Sequence, residues 1–199
     1  MLKKNKLILF DLDYTLVKCD TLKLLVLFFF KKNFIYFLYK FPILAKIVIT
    51  HFFSSCPHKT KTKSKFYSKL LEGYTKEQIE IISAEFAKYI FFKYKNMKLY
   101  RILLKSQKLG FNNFIVTASG DFYCKHLADL FKTKLISTKV SLNKKSLGKI
   151  IGKNCYGDEK KKKVLKEIKD FKKKYSVFYT DSFSDYPLAS ICKKWYLID

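Results

Sequence analysis

Residues 7–15 read LILFDLDYT, an apolar run that ends in two carboxylates, Asp11 and Asp13. A short, continuous apolar run of this kind is typical of a strand buried on both faces of a parallel sheet. We expect the chain to turn directly after this strand, so that both carboxylates reach one ligand. The segment therefore predicts a central strand with an acidic site at its carboxyl end.

Further apolar runs alternate with amphipathic segments along the rest of the chain. Strands that alternate with helices predict an α/β fold, a Rossmann-like parallel sheet flanked by helices, whose ligands lie beyond the carboxyl ends of the strands. The predicted strands are 6–10, 113–117, 176–180 and 195–198, the predicted helices are 121–131 and 159–175, and 135–151 is predicted to form a hairpin.

The long segment between the first two predicted strands has no strand-like alternation, and it is too long for a plain connection. Part of it is helical, because Thr75 and Gln78 form a capping-box pattern ahead of an apolar stripe. We therefore expect a helical cap inserted after the first strand and lying over the site. The expected cap spans residues 21–101, and the expected catalytic core comprises 1–20 and 102–199.

Three more polar segments lie at predicted strand or helix ends: TASG at 117–120, GDEK at 157–160 and DSFSD at 181–185. Within the lysine run that begins in the second of these segments, Lys160 precedes the apolar Val164 by four residues and so shares its inward face. A buried ammonium requires an anion. The register therefore selects Lys160 from its lysine neighbours as the one that meets a phosphate or a carboxylate.

The order of these four segments resembles the haloacid dehalogenase (HAD) superfamily of phosphotransferases, nearly from end to end. The resemblance implies that Asp11 attacks phosphorus and forms an aspartyl-phosphate, while Asp13 serves as general acid and base. It also implies that Thr117 and Lys160 contribute to catalysis. The implied phosphate-binding residues are Thr117, Ala118, Ser119 and Lys160.

The same resemblance implies a Mg²⁺ cofactor, a hard cation that prefers carboxylate oxygens. The metal-ligating residues are then Asp11, Asp13, Asp181 and Asp185. We expect Asp11 and Asp181 to bind directly and Asp13 to contribute its backbone carbonyl. For Asp185 both direct contact and contact through water remain open.

Segments 155–160 and 179–188 are similar to the branch of the superfamily that holds phosphoserine phosphatase and phosphatidylglycerophosphatase C. The second is the closer likeness over roughly the last fifty residues. Tyr14 departs from this pattern, because a glycine is usual between the second aspartate and the threonine. The departure affects the mouth of the pocket and removes no catalytic group.

Composition limits the partners. The 199 residues carry a formal charge of +25, yet Arg101 is the sole arginine. A protein that recognises bases or binds phosphates through two parallel hydrogen bonds favours arginine. Codon bias in an A/T-rich genome produces such an excess of lysine. We therefore expect no nucleic-acid partner. The five cysteines form no C-x-x-C pair. They indicate neither disulfides nor zinc and favour a reduced, cytoplasmic protein.

The segment Leu22 to Phe53 is rich in Phe, Leu and Ile but is interrupted by lysines. It lacks the roughly 18 uninterrupted apolar residues of a membrane span. Apolar patches with interspersed lysines fit a surface that docks on anionic lipid, at the inner face of the cell membrane. The alternative is a cap core whose lysines extend outward to solvent.

Three functions remain open. The first is a phosphatase for a phospholipid monoester such as phosphatidylglycerophosphate, with the apolar cap receiving the acyl chains. The second is a soluble small-molecule phosphatase acting on phosphoserine, a sugar phosphate or an amino-alcohol phosphate. Phosphoserine would require a cap arginine that forks its carboxylate, and Arg101 is the sole candidate. The third is a non-catalytic basic binding protein, which the intact acidic constellation disfavours.

Overall fold

The computed structural model describes residues 6–32, 34, 38–40, 42–43, 46, 59–171 and 175–198. Within this part of the chain the strands are β1 (Lys6–Phe10), β2 (Asn112–Gly120), β3 (Lys134–Thr138), β4 (Tyr175–Thr180) and β5 (Lys194–Leu197). They form one sheet in the order β3-β2-β1-β4-β5, and all the pairings are parallel. The predicted α/β class is confirmed.

Helices flank the sheet. Four of the described helices lie between β1 and β2 in the chain: α1 (Thr21–Lys32), α2 (Lys59–Leu71), α3 (Lys76–Tyr94) and α4 (Met97–Lys108). The others follow later strands: α5 (Asp121–Leu130), α6 (Asp158–Glu167) and the short α7 (Tyr186–Ala189). Short 3₁₀ turns occupy Lys144–Ser146 and Phe183–Asp185.

The central strand β1 is buried on both faces, because alternate side chains point to opposite sides of a sheet. Ile8 and Phe10 pack into the core formed with α1, α3 and α5. Leu7 and Leu9 pack into a second core with Val164 of α6. The double burial explains why this strand is a continuous apolar run in the sequence.

Helix α3 begins with the predicted capping box, since the Thr75 side chain accepts from the Gln78 N–H and the Gln78 side chain accepts from the Thr75 N–H. Its apolar stripe faces α5, where Phe86 meets Tyr123 with ring centroids 5.7 Å apart. The helical segment thus shares a core with the sheet layer. The expected boundary at residue 102 falls inside α4, and the division into core and cap stays a prediction.

Two predicted elements are wrong in part. The helix predicted for 159–175 ends at Glu167, because Ile168 is already extended and Asp170 has φ of 56°. Ile168 and Phe171 remain buried although both lie beyond the end of α6, so the apolar spacing in the sequence continues past the helix. Residues 172–174 lie outside the described part.

The hairpin predicted for 135–151 is also wrong in its first arm. Residues 134–138 are β3, which pairs in parallel with β2. The antiparallel pairing reduces to one bridge between Val140 and Ile150 around the predicted turn. A short strand at the edge of the sheet has a mixed apolar and polar sequence, so local pattern does not distinguish its two possible partners.

Part of the predicted membrane-docking segment, Leu22 to Phe53, lies outside the described residues, namely 33, 35–37, 41, 44–45 and 47–53. The part that is described includes α1, whose Leu25 and Phe29 pack inward. None of the described helices combines the length and the apolar character that crossing a bilayer requires.

Candidate active site

The acidic turn after β1 lies at the carboxyl edge of the sheet. The Asp11 N–H donates to the Tyr179 carbonyl of β4 at 2.8 Å, which ends the ladder. The chain then turns, with Tyr14 at φ of 52° and the Val17 N–H donating to the Leu12 carbonyl at 3.0 Å. Tyr14 occupies a left-handed conformation that glycine adopts most easily, which accounts for the glycine usual at this position.

Lys160 enters the site from the first turn of α6 and is buried, with 3% of its surface exposed. Its Nζ donates to Asp11 Oδ1 at 2.7 Å and to Asp185 Oδ2 at 2.6 Å. Lys162 instead is exposed and pairs with Glu159 at 3.1 Å. Lys160 therefore lies where the helix register places it, against the carboxylates of β1 and of the turn after β4.

The three groups form a buried carboxylate, ammonium and carboxylate row. Burial raises the pKa of Asp11 to about 7, although Lys160 opposes the shift. Burial also disfavours the charge of Lys160, but the Asp11 and Asp185 carboxylates outweigh it and raise the lysine pKa. Asp185 is further held by Thr180, whose Oγ1 donates to Oδ2 at 2.8 Å. The row carries a net negative charge when all three groups are ionised.

The Asp13 side chain points away from the row formed by Asp11, Lys160 and Asp185. Its Oδ1 accepts from the Thr21 N–H at 2.6 Å, and its Oδ2 accepts from Ser119 Oγ at 2.9 Å. Burial raises the pKa of Asp13, against the effect of those two donors. The carboxyl group is thus fixed between the start of α1 and the end of β2, and it keeps its proton to a higher pH than a free aspartic acid does, as suits a general acid.

The carboxyl end of β2, where its register with β3 shifts between Val116 and Gly120, contains the predicted phosphate-binding residues; we call residues 117–120 the catalytic turn. Thr117 is buried, and its Oγ1 accepts from the Ser119 N–H at 3.1 Å. The Ala118 carbonyl accepts from Thr138 Oγ1 at 2.7 Å. Since α5 begins at Asp121, this turn leads into a helix N-terminus, which favours an anion.

The predicted metal-ligating side chains divide into two groups. Asp181 lies beside the buried row, with Thr15 Oγ1 donating to its Oδ1 at 3.5 Å, and burial together with Asp185 raises its pKa. The Asp13 side chain is turned away. Within the described residues, no three Asp, Glu, His or Cys side chains converge closely enough to hold an ion by themselves.

The donors nevertheless fit a hard cation. Burial raises the pKa of both Asp11 and Asp181, so a cation beside them would stabilise their ionised forms. The carboxylates of Asp11 and Asp181 and the backbone carbonyl of Asp13 would supply three oxygen ligands to such a cation, so that no third acidic side chain is needed. Asp185 is 2% exposed and holds Lys160, which fits contact with an ion through another group better than direct contact.

One cation near the site, Lys63, was not predicted from the sequence. Lys63 of α2 donates from Nζ to the Ala118 carbonyl at 2.7 Å and approaches Asn154 Oδ1 at 3.4 Å. Burial lowers the pKa of Lys63 to about 8. The stretch KTKTKSK at 59–65 alternates lysines with hydroxyl residues, so no periodicity separates Lys63 from its neighbours.

Residues 8–190 match the family of haloacid dehalogenase-like hydrolases. Because the match spans nearly the whole chain, the protein belongs to this family. The prediction of a HAD-type phosphatase is thereby confirmed at the level of the family. No curated protein matches the chain.

Solved structures share the fold. A protein of unknown function from Bordetella pertussis Tohama I superposes with a TM-score of 0.78 at 17% identity, over 98% of this chain and 90% of its own. A phospho-aspartyl intermediate analogue of phosphoserine phosphatase gives 0.65 at 17%, over 98% and 86%. A phosphoserine phosphohydrolase-like protein from Francisella tularensis gives 0.59 at 15%, over 96% and 86%.

Proposed function

We propose that the protein is a magnesium-dependent phosphomonoesterase that works through an aspartyl-phosphate. The observation that carries the proposal is the position of Asp11 at the carboxyl end of the central strand, with Lys160 donating to one of its carboxylate oxygens at 2.7 Å. The other oxygen is free of described hydrogen bonds and is the nucleophile. Family membership supports the same conclusion.

In the first step, Asp11 Oδ2 attacks phosphorus and the bond from phosphorus to the leaving oxygen breaks. Protonated Asp13 gives its proton to that oxygen, so that a neutral alcohol leaves. In the second step, Asp13 takes a proton from water, the water oxygen bonds to phosphorus, and Asp11 is released with inorganic phosphate. The Lys160 ammonium and the N–H groups of the turn at 117–120 stabilise the phosphoryl charge.

Asp11, Asp181 and the backbone carbonyl of Asp13 would hold Mg²⁺, and Asp185 would act through Lys160 or through water. When bound, the ion neutralises charge between the carboxylates and the phosphoryl group.

Removal of divalent ions with EDTA should abolish hydrolysis, and Mg²⁺ should restore it. Retention of activity in EDTA would contradict the cofactor assignment.

The nucleophile is tested by Asp11→Asn on an aryl phosphate. The rate should fall by at least about three orders of magnitude, because no other group replaces the nucleophile. Asp158→Asn is the matched control, since Asp158 is exposed in the first turn of α6, and it should keep wild-type activity. Circular dichroism checks the fold. Residual Asp11→Asn activity within about tenfold of wild type would reject the assignment.

For the substrate, we propose a phospholipid monoester such as phosphatidylglycerophosphate. Apolar side chains of α1 and the following segment are exposed, among them Leu27, Phe34 and Leu38. Lys31 and Lys32 end α1 beside them. An apolar surface with lysines at its border suits acyl chains and an anionic interface.

The alternative is a soluble small-molecule phosphatase, which the likeness to phosphoserine phosphatases favours. Arg101 does not support phosphoserine in particular, because it is exposed on α4. Rates on phosphatidylglycerophosphate in mixed micelles, compared with phosphoserine, a sugar phosphate and phosphoethanolamine, decide between the two. Preference for a soluble compound would reject the lipid substrate and leave the catalytic residues unaffected.

A further inference from the structure

A groove of about 1010 Å³ runs between α2 and residues 149–159. Its lining is strongly basic, since one acidic side chain, Glu159, faces a set of lysines. Glu159 is itself neutralised by Lys153 at 3.3 Å. We call this the lysine groove, and its lysines are Lys61, Lys65, Lys69, Lys149 and Lys153.

The two walls of the lysine groove are tied together. The Ile150 N–H donates to Ser64 Oγ at 3.0 Å, and the Asn154 N–H approaches Thr60 Oγ1 at 3.5 Å. These bonds join the segment 149–159 to α2 at two points that are one helical turn apart. The basic lining is therefore preformed and does not depend on a ligand to assemble it.

Lys63 connects the lysine groove to the catalytic turn. Asn154, which lines the groove, approaches Lys63 Nζ with its Oδ1 at 3.4 Å, while the same Nζ donates to the Ala118 carbonyl at 2.7 Å. Thr138 Oγ1 donates to Asn154 Oδ1 at 2.8 Å and closes the network. One lysine side chain thus separates the groove from the turn that receives the phosphoryl group.

The ammonium of Lys63 has neutral acceptors where a counter-ion is expected. Among the described residues, no carboxylate lies within the 4.0 Å of an ion pair. Charges that are largely removed from water in proteins are normally paired, and Lys63 is half-buried. An ammonium beside the catalytic turn that no protein carboxylate contacts is suited to an anion of the ligand.

We propose that Lys63 and the lysine groove form a subsite for a second anionic group of the substrate, beside the phosphoryl group. The inference rests on the proposed phosphatase function and narrows its substrate to phosphomonoesters whose leaving group is itself anionic. Carboxylates and phosphate diesters share the required chemistry. The substrate lies with its phosphoryl group at Asp11 and its second anion between Lys63 and the lysine groove.

Two matched pairs of substrates test the subsite. Phosphoserine is compared with phosphoethanolamine, which lacks the carboxylate, and glycerophosphoglycerol phosphate with glycerol 3-phosphate, which lacks the phosphate diester. Wild type should prefer the anionic member of at least one pair. Lys63→Met should lower kcat/KM for that member by roughly ten- to hundredfold, mainly through KM, as expected for a lost bond between charged groups. The pair that responds identifies the anion.

Lys105→Met is the control, because Lys105 is exposed on α4 and its replacement removes the same charge outside the groove. Lys63→Arg should restore the preference in part. If Lys63→Met fails to fold, the double variant Lys65→Met and Lys153→Met carries the test, since neither of these groove lysines is buried. It should lower kcat/KM for the anionic member alone.

Two results would overturn the inference. One is a wild type without preference in either pair. The other is an equal loss on both members of a pair in Lys63→Met, which would mean that Lys63 supports the Ala118 turn and does not read the substrate. A wild type that hydrolyses no phosphomonoester, including an aryl phosphate, would reject the proposed function itself and the subsite with it.

Discussion

At the scale of single residues, Lys160 separates two carboxylates that are buried beside each other. It donates to Asp11 and Asp185 at 2.7 and 2.6 Å. Without it, two neighbouring acids would share a site of low polarity with no positive group between them. Loss of one partner of a buried ion pair leaves an uncompensated charge and is strongly destabilising. Lys160 therefore contributes to stability as well as to the proposed reaction.

Lys160→Met should lower the hydrolysis rate by about 10²–10³, the usual effect of losing one preorganised electrostatic contact. It should also reduce the free energy of unfolding, by about 3–5 kcal/mol. Lys162→Met, two positions along α6, should be near wild type because Lys162 is exposed. Aryl phosphate kinetics and urea unfolding measure the two effects. Similar losses in both variants would show that the register argument is wrong.

Lys63 should make kcat/KM depend on pH for a substrate that carries a second anion. Burial lowers its pKa from 10.5 to about 8, against the opposing pull of Asp13. The ammonium is lost as pH rises through about 8, so kcat/KM for a substrate with a second anion should fall there. Lys63→Arg should remove this fall, because arginine stays charged. A profile that is identical in wild type and Lys63→Arg would contradict the assignment.

The same shift affects stability with a definite sign. Between about 8 and 10.5 the unfolded chain holds a proton on Lys63 that the folded protein lacks. The free energy of unfolding should therefore rise with pH over this window through Lys63. Lys63→Met should show a smaller rise in urea titrations across that range. An unchanged slope would mean that Lys63 keeps its ordinary pKa in the fold.

At the scale of elements, the loop after β3 packs directly on the backbone of α2. Gly148 has φ of 74°, and a Cβ at this position would lie 2.3 Å from the Ser68 nitrogen. The Gly148 N–H donates to the Ser141 carbonyl at 2.8 Å, which holds the loop in place. The close approach of backbone to backbone lies at the edge of the lysine groove, whose lining includes the neighbouring Ser68 and Lys149.

Gly148→Ala should destabilise the protein by about 2–5 kcal/mol, the sum of left-handed strain and overpacking. Gly110 is a matched control, because it has φ of 73° but a Cβ added there would meet no atom within 4 Å. Gly110→Ala should therefore lose only the strain, about 1–2 kcal/mol. Urea unfolding compares the two. Equal losses would show that the loop can move away from α2.

At the scale of the whole molecule, the chain carries a formal charge of +25, and nearly all of its positive side chains are lysines. The proposed function and the proposed subsite assign defined roles to only some of these lysines, Lys160 and Lys63 with the lysine groove. The remaining lysines create a general attraction for anions that salt screens. Their effect on function depends on whether an apolar surface lies among them.

The protein should co-sediment with liposomes that contain anionic lipid and should dissociate as salt increases, because each lysine near such a surface contributes about 1 kcal/mol. Leu27→Ser combined with Phe34→Ser should weaken binding, since both side chains are exposed. Ile81→Ser is the control, as Ile81 is exposed on α3. A wild type that stays in the supernatant would reject membrane docking.

Local pattern predicted the elements whose sequence is shaped by burial or by capping. The strand β1 is recognisable because both of its faces are covered, and the start of α3 because Thr75 and Gln78 satisfy each other. The ends of parallel strands meet at one edge, so the positions of Asp11 and Asp181 followed from the strands alone. The inward direction of Lys160 followed from helical spacing.

The sequence by itself thus determined the fold class and the edge of the sheet where the acidic groups gather. Tertiary structure decided the partners of those groups. Asp13 is fixed by Ser119, which is 106 positions away, and Lys63 reaches Ala118, which is 55 positions away. It also decided that residues 134–138 join β2 and that α6 ends at Glu167. Such contacts depend on how distant segments pack, and a periodicity of two or of 3.6 residues reports only which face of an element is buried.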